Sequence, residues 1–156
     1  MRAILGSPAP LAECAVNIVV EEFGLKEIIT APNAPVTGFT DVSKPAPIAQ
    51  AIRAGNLLFV SGQGPLDAER KVVSGDIAMQ TKQTLANLRA ILEHAGSSFR
   101  DVVNMRVCLR EVSDFPAFNE AFGQVMAGEK VTRTCIGGTP HRTGVNVEID
   151  CIAYVE

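Results

Sequence analysis

The sequence predicts an α+β fold, a single mixed β-sheet with two helices packed on one face. Three observations carry this expectation. At Asp76 the apolar pattern switches from short strand-like runs to a helical period. A second helical stretch follows one strand later, and two more strands close the chain. The resulting order is strand, strand, helix, strand, helix, strand, strand.

The chain has 156 residues, of which 47% are hydrophobic, enough for one domain with a substantial core. Its 14 Lys and Arg against 17 Asp and Glu give a net charge of -3, without a basic run. A disordered chain is excluded by this balance. The electrostatic footprint of a general nucleic-acid binder is missing too, so no nucleic-acid partner is expected.

Residues 1–24 read as a separate N-terminal extension of unknown role, and 25–156 as the domain. Within the extension, Leu11 to Phe23 fits a short helix or an extra strand. A strand is expected near Glu27–Thr30, bracketed by a loop-rich stretch with Pro32, Pro35, Pro45 and Pro47. Asn56–Ser61 reads as a strand that ends at the turn Gly62-Gln63-Gly64-Pro65. Lys71–Ser74 fits a short edge strand.

Ile77, Thr81, Leu85, Leu88, Leu92 and Ala95 recur at helical spacing, with Asp76 as N-cap and Gly96 as the stop. Gln80, Gln83, Asn87 and Glu93 fall on the expected water-facing side. Val102, Val103, Met105, Val107 and Leu109 form the next strand. Ser113 or Asp114 caps a second helix through Phe115, Phe118, Phe122 and Val125, ending before Gly128. The last strands are Val131–Ile136 and Val145–Val155. Apolar residues occur on both parities (Leu57 and Leu58, Val102 and Val103), so the face opposite the helices needs its own cover, which a closed homo-oligomer would supply.

Cys14, Cys108, Cys135 and Cys151 contain no CxxC pair, and the two histidines, His94 and His141, offer little for a metal site or a triad. No metal or cofactor is expected, and core thiols fit a reducing cytoplasm. The N-terminal stretch is interrupted by Pro8, Pro10 and Glu13, unlike a signal peptide, and no apolar run reaches membrane-spanning length.

The final two strands hold the candidate chemistry. Paired as a hairpin centred on Pro140 and His141, they put Arg133 opposite Glu148, Cys135 opposite Asn146 and Val131 opposite Asp150. Side chains so paired lie about 4.5–5.5 Å apart at Cβ. Arg133 and Glu148 would then form either an ordinary cross-strand ion pair, contributing about 0–1 kcal/mol, or a site. In the second reading Arg133 offers its planar fork to a carboxylate while Glu148 handles protons or water.

The segment Val131-Thr132-Arg133-Thr134-Cys135 with Val147-Glu148-Ile149-Asp150-Cys151-Ile152-Ala153 resembles the C-terminal signature of the Rid family, the RidA/YjgF-type reactive-intermediate deaminases. Ala46-Pro47-Ile48-Ala49-Gln50, Phe59-Val60-Ser61-Gly62-Gln63-Gly64-Pro65, Ala86-Asn87-Leu88 and Asp114-Phe115-Pro116-Ala117-Phe118-Asn119 extend the likeness over roughly residues 25–156. The resemblance implies a chorismate-mutase-like α+β subunit in a homotrimer, with sites in clefts between subunits. It also implies hydrolysis of enamine and imine acids, of the 2-iminobutanoate and 2-iminopropanoate type, to 2-keto acids and ammonia. By the same resemblance Arg133 binds the substrate carboxylate and Glu148 positions the attacking water, while Ser61, Gly62, Asn119, Cys135 and Ile48 line the pocket. Ile48 replaces the family's aromatic, Val131 its usual proline and Thr134 its common serine. Two alternatives stand beside this reading: a metabolite-binding trimer without turnover, and an endoribonuclease or translation inhibitor.

Overall fold

The computed structural model describes residues 26–36 and 47–156. The N-terminal extension, with the segment Leu11–Phe23, lies outside the described residues, as do Pro45 and Ala46. Six strands form one mixed sheet: β1 (Glu27–Ile29), β2 (Ala51–Ala54), β3 (Leu57–Gln63), β4 (Val102–Leu109), β5 (Thr132–Gly137) and β6 (Val147–Tyr154), in the spatial order β1-β2-β3-β6-β4-β5. Helices α1 (Ile77–His94) and α2 (Phe115–Met126) cover one face, α1 packing on β3, β6 and α2. No helix among the described residues is long and apolar enough to cross a membrane.

The first helix starts as its sequence predicts: the Met79 amide donates to Asp76 Oδ1 at 2.8 Å. After the Ala95 C-cap, Gly96 takes φ +78°, the left-handed conformation a helix stop favours. The second helix has Asp114 at its N-cap position and ends at Ala127 and Gly128, both with positive φ. Leu85, Leu88, Ile91 and Leu92 from α1, Phe118 from α2, and Met105, Val107, Leu109, Val147, Ile149 and Ala153 from the sheet are each at most 1% exposed. They form the core between helices and sheet.

Four expectations need correction. Gln80 and Asn87 are buried instead of water-facing, because they bind loops. Gln80 donates to the carbonyls of Val73 and Gly144 and accepts from the Asn146 amide, and Asn87 donates to Gly64 and Leu66. Lys71–Ser74 is no strand, contributing only an isolated bridge between Leu66 and Val72. Strand β2 was not foreseen; it turns through Gly55 (φ +60°) to pair with β3.

The fourth correction concerns the site. The closing strands do not form a hairpin, because β4 lies between them, antiparallel to β6 and parallel to β5. Arg133 therefore pairs with Met105, and Glu148 with Cys108. The strand–helix–strand passage β4–α2–β5 is long enough to return β5 parallel to β4. The fully apolar helix-side row of β4 favours an interior position, while β5, mostly exposed, takes the edge.

The sheet face away from the helices is polar only in part. Leu57, Phe59, Ile136 and Tyr154 are 42%, 42%, 59% and 45% exposed there, a scatter of apolar surface that the single chain leaves in water.

Candidate active site

Because paired residues in neighbouring strands share a sheet face, Arg133 (with Met105) lies on the helix side, and Glu148 (with Cys108 and Ile136) on the open side. One chain thus carries Arg133 and Glu148 on separate faces of the sheet.

The arginine cluster sits where α2 meets the edge strand. Phe115, Phe118 and Phe122 recur at one face of α2, and the Arg133 guanidinium lies over their rings at 5.7, 5.3 and 4.6 Å from the centroids. Its Nη2 donates to Asn119 Oδ1 at 2.7 Å. Among the described residues no carboxylate pairs with this cation. Cys135, two positions along β5, shares its face and packs against the core. Burial pushes the Cys135 thiol up, more than the neighbouring Arg133 charge pulls it down, while Cys108 adds to the rise. It is therefore a protonated thiol rather than a ready nucleophile.

The carboxylate cluster is built around Glu148. A Cβ placed on Gly62 would stand 2.5 Å from Glu148 Oε1, so the glycine gives the carboxylate its room. On its other side, His141 Nδ1 lies 3.5 Å from Oε2. Glu148 lines a cleft of about 310 Å³ on the open face with Arg106, Val107, Cys108, Thr134, Ile136 and Asp150. It also borders a smaller recess with Gly62, Gly64, Leu66, His141, Arg142 and Val145. Burial, and then the Glu148 charge, push the Cys108 thiol up against the opposing pull of Arg110.

Ser61 adjoins Gly62, and its hydroxyl donates to the Ala49 carbonyl at 2.7 Å. Ala49 follows Ile48, which is 48% exposed and lines a separate cleft of about 410 Å³ with Lys26, Ile28, Val36 and Pro47. Gln50 fixes this corner by accepting from the Ala31 amide and donating to the Ala34 carbonyl. The site residues read from sequence thus fall apart: Arg133 with Asn119 and Cys135, Glu148 with Gly62 and the adjoining Ser61, and Ile48 on its own in the separate cleft. Asp150, expected opposite Val131, instead pairs with Arg106 at 2.9 Å.

His141 and Cys108 were not foreseen beside Glu148. The signal for Cys108 was the strand–helix–strand order, which makes β4 rather than β5 the neighbour of β6. For His141 no sequence signal existed beyond its place in the loop before β6.

Residues 41–155 match the family model described as Endoribonuclease L-PSP. The chain belongs to the Rid (YjgF/RutC) family. A RutC family protein of Pyrococcus horikoshii is 40% identical over 134 residues, covering 85% of this chain and 100% of the relative. The 3-aminoacrylate deaminase RutC of Acinetobacter baylyi is 35% identical over 111 residues, covering 70% of this chain and 88% of that one. Among solved Rid folds, E. coli TdcF with bound serine superposes with a TM-score of 0.73 at 28% identity, covering 83% of this chain and 99% of TdcF.

Proposed function

We propose that the protein is an imine/enamine deaminase, hydrolysing 2-imino acids and their enamine tautomers to 2-keto acids and ammonia. The observation that carries this reading is a guanidinium held by three aromatic rings and Asn119 with no carboxylate partner among the described residues. Such a cation is a prepared seat for a substrate carboxylate, through charge-assisted contacts. The relative named a 3-aminoacrylate deaminase and the serine bound by TdcF both point to small carboxylic acids that carry nitrogen, on C3 in the first and on C2 in the second.

Arg133 and Glu148 do not face one another within one subunit. We therefore assign the complete site to a junction between copies, in a closed homotrimer, one copy supplying Arg133, Asn119 and Cys135 and its neighbour Glu148, Ser61, Gly62 and Ile48. The partly apolar open face of the sheet supports such an assembly.

The chemistry is balanced by these side chains and water. A protonated imine carbon is electrophilic. Water adds to it as Glu148 takes a proton, and the C=N electrons return to nitrogen, giving a carbinolamine. The same proton passes to that nitrogen, the C–N bond breaks as the hydroxyl gives its own proton to the Glu148 carboxylate and its oxygen re-forms a carbonyl, and Glu148 returns that proton to the departing ammonia, which leaves as ammonium. General acid–base help of this kind is worth about 10²–10⁴-fold, and Arg133 adds orientation.

The test is ammonia and keto-acid release from a freshly generated 2-imino acid. Wild type should accelerate it, and Arg133→Ala and Glu148→Gln should not; equal rates for wild type and Arg133→Ala would overturn the reading. Ile48, which stands where the family signature has an aromatic residue, favours a second reading, a metabolite-binding trimer without turnover. Arg133-dependent binding of a 2-keto acid with no imine consumed would decide for it. Cleavage of RNA by the purified protein would instead support the activity named in the family description.

A further inference from the structure

We propose that the polar row of α1, Gln80, Gln83 and Asn87, consists of positioning residues for Glu148: together they hold both walls of the recess in which that carboxylate works. The inference rests on the reading of Glu148 as the water-activating group. The three side chains follow one another at helical spacing and so share one face of α1. Gln80 and Asn87 are 2% and 5% exposed, and buried amides are kept by the partners they satisfy.

Those partners lie on opposite sides of the recess. One wall is the end of β3 and the turn after it, with Gly62, Gly64 and Leu66; the other includes Val145, on the chain entering β6. Asn87 Nδ2 donates to the carbonyls of Gly64 and Leu66 at 3.0 and 2.9 Å, and Gln83 Nε2 donates to the same Leu66 carbonyl at 3.1 Å. Gln83 also donates to Asn87 Oδ1 at 3.0 Å, which keeps the Asn87 amide turned with its NH2 toward the turn. On the other wall Gln80 Nε2 donates to the Gly144 carbonyl at 2.9 Å, and its Oε1 accepts from the Asn146 amide at 2.8 Å. These two anchors flank Val145 and lie just upstream of Glu148.

Sheet pairing alone does not set the distance between the walls. Val60 pairs with Cys151 and Gln63 with Ile149, so β3 carries an extra residue there and a bulge interrupts the ladder at Ser61 and Gly62. The tolerance is small. A Cβ on Gly62 would stand 2.5 Å from Glu148 Oε1, and one on Gly64 would stand 3.6 Å from Val145 Cγ1. The recess measures about 20 Å³, room for about one water molecule. A small drift of either wall therefore changes how Glu148 faces water, although no amide of the row needs to touch the reacting atoms.

Steady-state kinetics and titration with a 2-keto acid, both on the full-length protein, test this. Asn87→Ala and Gln80→Leu should each lower kcat about tenfold, and Gln83→Ala about threefold, parts of the roughly hundredfold loss that a 1 Å misplacement brings. KM and the keto-acid affinity should stay within about twofold of wild type, because Arg133 lies on the other face of the sheet. Ile91→Val is the comparison: it trims a fully buried core residue of the same helix, and its kcat should match wild type even where its melting temperature falls. Gln83 is only half-buried, so Gln83→Ala reads the effect even if a buried variant fails to fold. Wild-type kcat in the folded variants of the row, or a kcat loss that Ile91→Val shares in step with melting temperature, overturns the proposal and leaves Glu148's role intact. A Glu148→Gln variant as active as wild type is a different result, and removes the carboxylate reading together with this one.

Discussion

The Arg133 guanidinium carbon lies 4.6 Å from the ring centroid of Phe122, on the sheet face opposite Glu148. This contact orients the cation from below while Asn119 holds one of its nitrogens. An arginine so placed resembles a docking fixture more than a surface charge, and the following expectations follow from that and from the loop anchors.

Asn119 is exposed, so its loss should affect Arg133 rather than the core. Asn119→Ala is expected to weaken binding of a 2-keto acid about tenfold, the scale of one hydrogen bond to a charged group. Calorimetric titration reads the affinity, and a melting temperature close to wild type excludes unfolding.

Gly62→Ala places a methyl against Glu148 Oε1. The carboxylate has to swing away, and misplacement of about 1 Å in a catalytic group can cost about 10²-fold. The expected outcome is a kcat near one-hundredth of wild type with a KM changed only a few-fold, read by steady-state kinetics.

Gln80 joins α1 to both the loop after β3 and the chain entering β6. Gln80→Leu leaves the Asn146 amide and two carbonyls without their partner. Urea denaturation should show about 2 kcal/mol lost, within the range for buried polar groups left unpaired.

Cys151 faces the core beneath the helices, and burial, with Asp150 adding to it, pushes its thiol from 9.0 up to about 12. The folded value lies above the unfolded one, so the stability it contributes is complete below pH 9 and is lost as pH rises toward 12. Melting temperatures between pH 8 and pH 11 should fall more steeply in wild type than in Cys151→Ala, which starts lower through its cavity.

Local signals in the chain were read well where one residue's neighbours decide the outcome. The Asp76 cap, the apolar period through Leu92 and the α2 stretch ending at Gly128 need no knowledge of the rest. Strand pairing is decided elsewhere. Val131–Ile136 and Val145–Val155 look like hairpin arms because they are adjacent in sequence, yet the apolar row Met105, Val107 and Leu109 claims the position between them. Gln80 and Asn87 looked like surface residues because polarity by itself does not reveal a loop waiting to be bound. The residue types of the candidate site were legible from the family signature. Their division between two faces was not, since it follows from sheet order.

The proposed chemistry turns on whether Arg133 of one copy works with Glu148 of another. Arg133→Ala and Glu148→Gln, each inactive by itself, can be co-expressed and purified as mixed oligomers. If sites form between copies, a random mixture restores about a quarter of wild-type imine hydrolysis per site, because intact pairs arise wherever the two variants meet in the right order. Mixed oligomers as inactive as their parents would contradict the shared site, and with it the proposed mechanism.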